Sequence, residues 1–131
     1  MLEGSCLCGA VRWRYRGMPA SATACNCTAC RRYGVLWIYG HESEEIELEG
    51  DTTNYARRPD SPLDFRFCRA CGCLAAWRST RVGRNGKRRM AVNIRLSEPG
   101  PVAHLPIDHF DGLVKFEDMP HDGKTVADMW A

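Results

Sequence analysis

No apolar run in the chain approaches the ~20 residues that a membrane-spanning helix needs. The opening Met1-Leu2-Glu3-Gly4-Ser5-Cys6 has no basic region followed by an apolar stretch, so an export signal is not expected and the cytoplasm is the expected compartment. A dominant charge is missing as well: 18 Lys and Arg stand against 16 Asp and Glu, a formal balance of +2. Helix signals are few. Hydrophobic residues make up 44% and charged residues 26% of the chain, which excludes a disordered or collagen-like polymer. What remains is a globular chain of 131 residues and 14.8 kDa, the size of one domain covering residues 1–131. At that length roughly two thirds of the unfolded surface is buried on folding.

Cysteine is abundant, with 8 residues in the chain. A reducing compartment disfavours disulfides. Seven of the eight fall at close spacing: Cys6-x-Cys8, Cys25-x-Cys27-x-x-Cys30 and Cys68-x-x-Cys71, with Cys73 just beyond. These are chelate spacings, and thiolates bind zinc at ~2.3 Å. Buried apolar thiols would not need to cluster. Seven bound thiolates and two zinc ions would turn the formal +2 into about −1, so overall charge does not point to nucleic acid.

The pattern between the cysteines is β-rich, and an all-β fold is expected. Val11, Trp13 and Tyr15 alternate with Arg12, Arg14 and Arg16, the period of a half-buried strand. Further strands are expected at Val35–Tyr39, closed by Gly40, at Glu44–Glu49, at Leu63–Phe67, at Leu74–Thr80 and at Arg88–Leu96. Asn85-Gly86 predicts a tight hairpin between the last two. One helical turn is expected over Cys27–Arg32 and a short helix over Lys124–Trp130. The segment between them that holds Pro99, Pro101, Pro106 and Pro120 is expected to be extended or loop.

No cluster alone saturates a closed tetrahedral site, which takes four protein ligands. Cys6 and Cys8 with Cys68 and Cys71 make such a set and would tie the first strand to one some sixty residues later. Gly72 lets the backbone turn close to the metal. Cys25, Cys27 and Cys30 then leave a fourth position open, as in catalytic zinc sites. Cys73, or one of His41, His104, His109 and His121, could instead close it; His109 is the first choice among the histidines. Cys73 reads as a buried strand residue facing the core.

Gly4-Ser5-Cys6-Leu7-Cys8-Gly9-Ala10-Val11-Arg12, Cys25-Asn26-Cys27-Thr28-Ala29-Cys30-Arg31-Arg32 and Phe67-Cys68-Arg69-Ala70-Cys71-Gly72 occur in that order. Together they resemble the family of glutathione-dependent formaldehyde-activating enzymes, which also includes centromere protein V. The resemblance covers about residues 3–110. It implies antiparallel sheets in a β-tent (Mss4-like) arrangement, to which the residues themselves add the short helical turns and the proline-rich C-terminal segment. It implies a structural zinc on Cys6, Cys8, Cys68 and Cys71 and a second zinc on Cys25, Cys27 and Cys30 with an exchangeable position, two Zn2+ per chain. The implied activity is carbon–sulfur bond formation or cleavage, joining glutathione to formaldehyde. Two positions depart from the family's pattern: Asn26 stands where a histidine is common, and Cys73 where a small hydroxyl residue is common.

Three thiolates around a dication leave a net charge of about −1, which favours holding a substrate thiolate over activating water. Arg31, directly after the third ligand, is the candidate contact for a substrate carboxylate. The competing class is a non-catalytic zinc module that binds protein or nucleic acid. Its support is the run Arg78, Arg81, Arg84, Lys87, Arg88 and Arg89. No aromatic residue interleaves that run after Trp77, and it reads as a solvated hairpin tip. The late acidic residues Asp111, Glu117, Asp118 and Asp122 read as a solvated surface.

Overall fold

Alternation decides the first strands. A computed structural model describes residues 1–130. Strand β1 (Leu2–Ser5) pairs antiparallel with β2 (Arg12–Tyr15), which buries Trp13 and Tyr15 and exposes Arg12 and Arg14. Gly4 faces Trp13 across the ladder, and a Cβ there would overlap the indole. The absent side chain is therefore what admits Trp13 to the core, where truncation to alanine would cost about 3–5 kcal/mol.

Next along the chain come β3 (Ala22–Cys25), helix α1 (Thr28–Tyr33), β4 (Trp37–His41), β5 (Ile46–Glu49), β6 (Thr52–Tyr55), β7 (Leu63–Cys68), β8 (Leu74–Ser79) and β9 (Arg89–Asn93). Helix α2 (Pro99–Val102), β10 (Ile107–Asp111) and the two-residue β11 (Glu117–Asp118) follow. The strands form a small sheet of order β1-β2-β5 and a large one of order β11-β10-β3-β4-β9-β8-β7-β6. The architecture is all-β, as expected. Every ladder is antiparallel except β10 against β3, which is parallel.

The large sheet is apolar on both faces. Ile38, Val92, Ala76, Met90, Ala22 and Ile107 pack toward Leu2, Trp13 and Ile46 of the small sheet. The opposite face carries Trp37, Phe65 and Ala91, joined by Val35 and Leu74, and is covered in part by α1 through Ala29 and Cys30. Tyr33 of α1 lays its ring 5.1 Å from Phe65 and 5.3 Å from Phe67, centroid to centroid. This second face holds one of the two cysteine clusters.

Several expectations are corrected. β4 runs through Gly40 to His41. β9 stops at Asn93, whose side chain accepts from Arg95 N (3.1 Å) and donates to Leu74 O (2.9 Å), starting a 3-10 turn at Ile94–Leu96. Asn85-Gly86 does not make a two-residue hairpin. It lies inside a longer loop closed by Gly83 N–H on Lys87 O at 2.8 Å, and only Gly86 of the pair has positive φ. The proline-rich segment contains α2 and β10 as well as loop. The C-terminal helix is a 3-10 turn at Val126–Met129.

Candidate metal centres

The first cluster joins the two sheets. Cys6 follows β1, and its Sγ accepts Val11 N–H at 3.2 Å. Cys68 ends β7, and its Sγ accepts Cys71 N–H at 3.4 Å. Gly72 turns there with φ 81° and donates to Cys68 O at 2.9 Å. The Sγ atoms of Cys6, Cys8, Cys68 and Cys71 all lie within 4.8 Å of one another. Cys6 to Cys8 is 3.7 Å and Cys8 to Cys68 is 3.6 Å. A tetrahedron with ~2.3 Å zinc–sulfur bonds has edges of about 3.8 Å, whereas a disulfide needs ~2.05 Å. The donor set fits a four-thiolate metal site. The Cys73 and Cys8 backbone N–H groups hold the Cys71 thiol down to about 5.

Cys73 corrects its sequence reading. It precedes β8 rather than lying in it, it is half-buried, and its Sγ accepts Leu7 N–H at 3.4 Å. It belongs to the surroundings of the first cluster and takes no part in the second.

The second cluster is local. Cys25 ends β3, Cys27 caps α1 and Cys30 lies in the first turn of α1. Cys27 Sγ accepts Cys30 N–H at 3.3 Å, which is why the helix begins at this cysteine. Gly34 ends the helix in the left-handed region, φ 66°. Cys25 Sγ accepts Cys27 N–H at 3.4 Å, and Cys30 Sγ accepts the Trp37 indole N–H at 3.3 Å. All three sulfurs lie within 4.8 Å of one another and are half-buried. The Cys30 thiol, helped by the Cys27 backbone N–H and against the cost of burial, lowers Cys25 to about 6. Cys30 moves upward in turn, through Cys25 and burial, opposed by the Trp37 indole.

Among the described residues no histidine or carboxylate joins either cluster. His109 faces Asp122 at 2.9 Å, His121 faces Asp108 at 2.7 Å, His41 faces Glu45 at 3.3 Å, and His104 is exposed. The second cluster therefore offers three ligands.

A groove of about 520 Å³ lies on the same face. Its walls include Thr23 of β3, Tyr39 of β4, Trp77 of β8 and Phe110 of β10, and Phe116 stacks edge-on against Phe110 at 5.0 Å. Phe110 pairs with Cys25 in the parallel ladder, so the groove and the cluster share a wall. Burial pushes the Tyr39 hydroxyl up to about 12; the nearby Cys25 and Cys30 push the same way, and the Thr23 hydroxyl opposes them.

Residues 1–104 match the family described as glutathione-dependent formaldehyde-activating enzyme. The chain belongs to this family. A Rhodobacter sphaeroides protein of known crystal structure shares the fold, with a TM-score of 0.59 and 23% identity over 81% of this chain and 99% of that one. No curated protein sequence matches the chain.

The formaldehyde-activating family match takes in all the cysteines but ends before β10. This chain nonetheless builds the site from both parts. Gly112, just after β10, lies so close that a Cβ there would sit 2.8 Å from Cys25 Sγ and 2.9 Å from Cys27 Cβ. Asn26 anchors that turn: its amide donates to Asp111 Oδ1 at 3.3 Å and accepts Leu113 N–H at 3.1 Å. Arg31 is exposed and donates to Asn26 O at 2.8 Å. Sequence reasoning missed Gly112, Tyr39 and the groove; the only hint was Tyr39 at alternate spacing from Trp37. The basic run is partly neutralised: Arg78 and Arg88 lie 2.9 and 3.4 Å from Glu42, and Lys87 lies 3.8 Å from Glu44. No described helix is long and apolar enough to cross a membrane.

Proposed function

We propose that this chain, acting as one domain, is a zinc-dependent enzyme of the carbon–sulfur lyase type that joins a small thiol, with glutathione as the family's partner, to a small aldehyde, and reverses that reaction. Cys6, Cys8, Cys68 and Cys71 hold a structural zinc, and Cys25, Cys27 and Cys30 hold a second one. The observation that carries the reading is the three-sulfur cluster with no fourth protein ligand among the described residues, beside an aromatic groove.

Cys25, Cys27 and Cys30 would hold the zinc ion, which would supply the acidity that keeps a bound thiol as thiolate at neutral pH. The remaining chemistry falls to the chain. One sulfur–carbon bond forms, the carbonyl π bond opens, and the thiol proton ends on the former carbonyl oxygen. Tyr39, kept protonated well above neutral pH, donates a hydrogen bond to that oxygen as negative charge develops there. Trp37 fixes Cys30, and Gly112 and Phe110 line the cluster on its β10 side. Arg31 is available to a substrate carboxylate from the solvent side.

The test is exchange spectroscopy by NMR with labelled formaldehyde and glutathione. The zinc-loaded chain should accelerate interconversion of formaldehyde and S-hydroxymethylglutathione, and Cys27→Ser should abolish the acceleration. A wild-type rate equal to the uncatalysed rate, for glutathione and for simpler thiols, would favour a non-catalytic zinc module instead.

A further inference from the structure

Among the described residues the groove contains one cation without an ion-pair partner. Arg89, at the start of β9, places its guanidinium carbon 5.8 Å from the ring centroids of both Tyr39 and Trp77. Neighbouring Arg78 and Arg88 both pair with Glu42, but among the described residues Arg89 makes no ion pair. A guanidinium stacked on aromatic rings has its in-plane donors free, and that fork matches a planar anion held by two hydrogen bonds.

We infer that Arg89 is the specificity-determining contact of the groove, anchoring the carboxylate of a thiol whose sulfur lies at Cys25, Cys27 and Cys30. The inference rests on the reading of that cluster as an open thiol site. The groove's other charged residue is Asp118. Its carboxylate disfavours a dianion such as a phosphate ester and tolerates an ammonium beside a single carboxylate. The aromatic walls of Tyr39, Trp77, Phe110 and Phe116 accommodate the apolar stem between the two ends.

The ladder sets a length requirement. Cys30 Sγ accepts the Trp37 indole N–H at 3.3 Å, and the Arg89 guanidinium lies 5.8 Å from the ring of Tyr39, two residues further along the same face of β4. Two residues of a strand span about 7 Å, and the contact at each end lengthens that separation. Sulfur and carboxylate must then be separated by on the order of 10 Å. A mercaptoacetate is too short, while an acid with several intervening bonds reaches both ends.

Calorimetric titration of the zinc-loaded protein tests this with 6-mercaptohexanoate against 6-mercaptohexanol, and mercaptoacetate against 2-mercaptoethanol. The long acid should bind about tenfold tighter than the long alcohol, and the short pair should bind alike. Arg89→Gln should remove the long acid's advantage, leave the alcohol's affinity unchanged and melt at the wild-type temperature; Arg89→Lys should restore part of the advantage. The Trp77 indole resonance should move with the long acid in the wild type. If the long acid and alcohol bind equally, or if Arg89→Gln keeps the difference, Arg89 is not the anchor, though the open thiol site stands. If no thiol binds at all, the open-site reading fails and this inference fails with it.

Discussion

The indole N–H of Trp37 donates to Cys30 Sγ at 3.3 Å, while its ring is buried against Phe65, Leu74 and Ala91. One side chain thus ties the core of the large sheet to the second cluster. A hydrogen bond to a charged sulfur is worth about 1.5–3 kcal/mol, and outer-shell partners commonly change metal affinity by ~10–100-fold. Trp37→Phe keeps most of the buried ring and removes the donor. Its second metal should bind at least about tenfold more weakly by chelator competition, with the first metal unaffected. Equal affinity for both metals in variant and wild type would remove Trp37 from the site's account.

Gly112 offers a test that touches no ligand. A Cβ there would press on Cys25 Sγ and Cys27 Cβ, whereas a Cβ at Gly100 would meet nothing within 4 Å. Gly112→Ala should lower the metal content from two to one per chain, or weaken the second metal severely. Gly100→Ala should retain both, and elemental analysis of the two purified variants decides the matter.

The two clusters should differ in their effect on folding. The first joins residues sixty apart in sequence and bridges β1 to β7, so its metal free energy is coupled to closing the fold. The second spans six residues and gains little from loop closure. Cys68→Ser should give unfolded or insoluble protein. Cys27→Ser should stay folded by circular dichroism and lose only the second metal. Equal unfolding of both variants would contradict the assignment of roles.

Much of this was legible because chelate spacing is a local property. Cys25, Cys27 and Cys30 are brought together by one strand end and one helix turn, and alternation around Trp13 and Phe65 marked strands β2 and β7. The other side of the second site was not legible. β10 reaches Cys25 through a parallel pairing of residues 85 apart, and the prolines around it disguise the strand. Cys73 is expected in a buried strand, whereas β8 begins one residue later and a backbone N–H of Leu7 holds the Cys73 sulfur beside the first cluster. Arg89 looked like one of six solvated cations. Only the lateral order β4-β9-β8 sets it over two rings.

A pH experiment separates the thiols of the second cluster. With the first metal in place and the second removed, Cys25 has its pKa lowered from 9.0 to about 6, and Cys30 is raised. A lowered thiol pKa contributes stability that is full above the unfolded value and is lost as pH falls through about 6. The raised Cys30 acts oppositely, contributing below its unfolded value and losing that contribution as pH rises. At pH 7 Cys25 is therefore the thiolate and Cys30 the thiol. Iodoacetamide should label Cys25 well ahead of Cys30, with the rate falling about tenfold per unit below pH 6. Peptide mapping that finds equal labelling would contradict this ordering.

Cobalt substitution tests the central claim most directly, because sulfur-to-cobalt charge-transfer bands report the number of thiolates on each ion. The chain loaded with two cobalt ions should show one four-thiolate site and one three-thiolate site, and millimolar glutathione or a simpler thiol should raise the sulfur count of the second site alone. A spectrum unchanged by any thiol would mean that the Cys25, Cys27 and Cys30 centre is closed, and the chain would then be a structural or binding domain rather than an enzyme of thiol adducts.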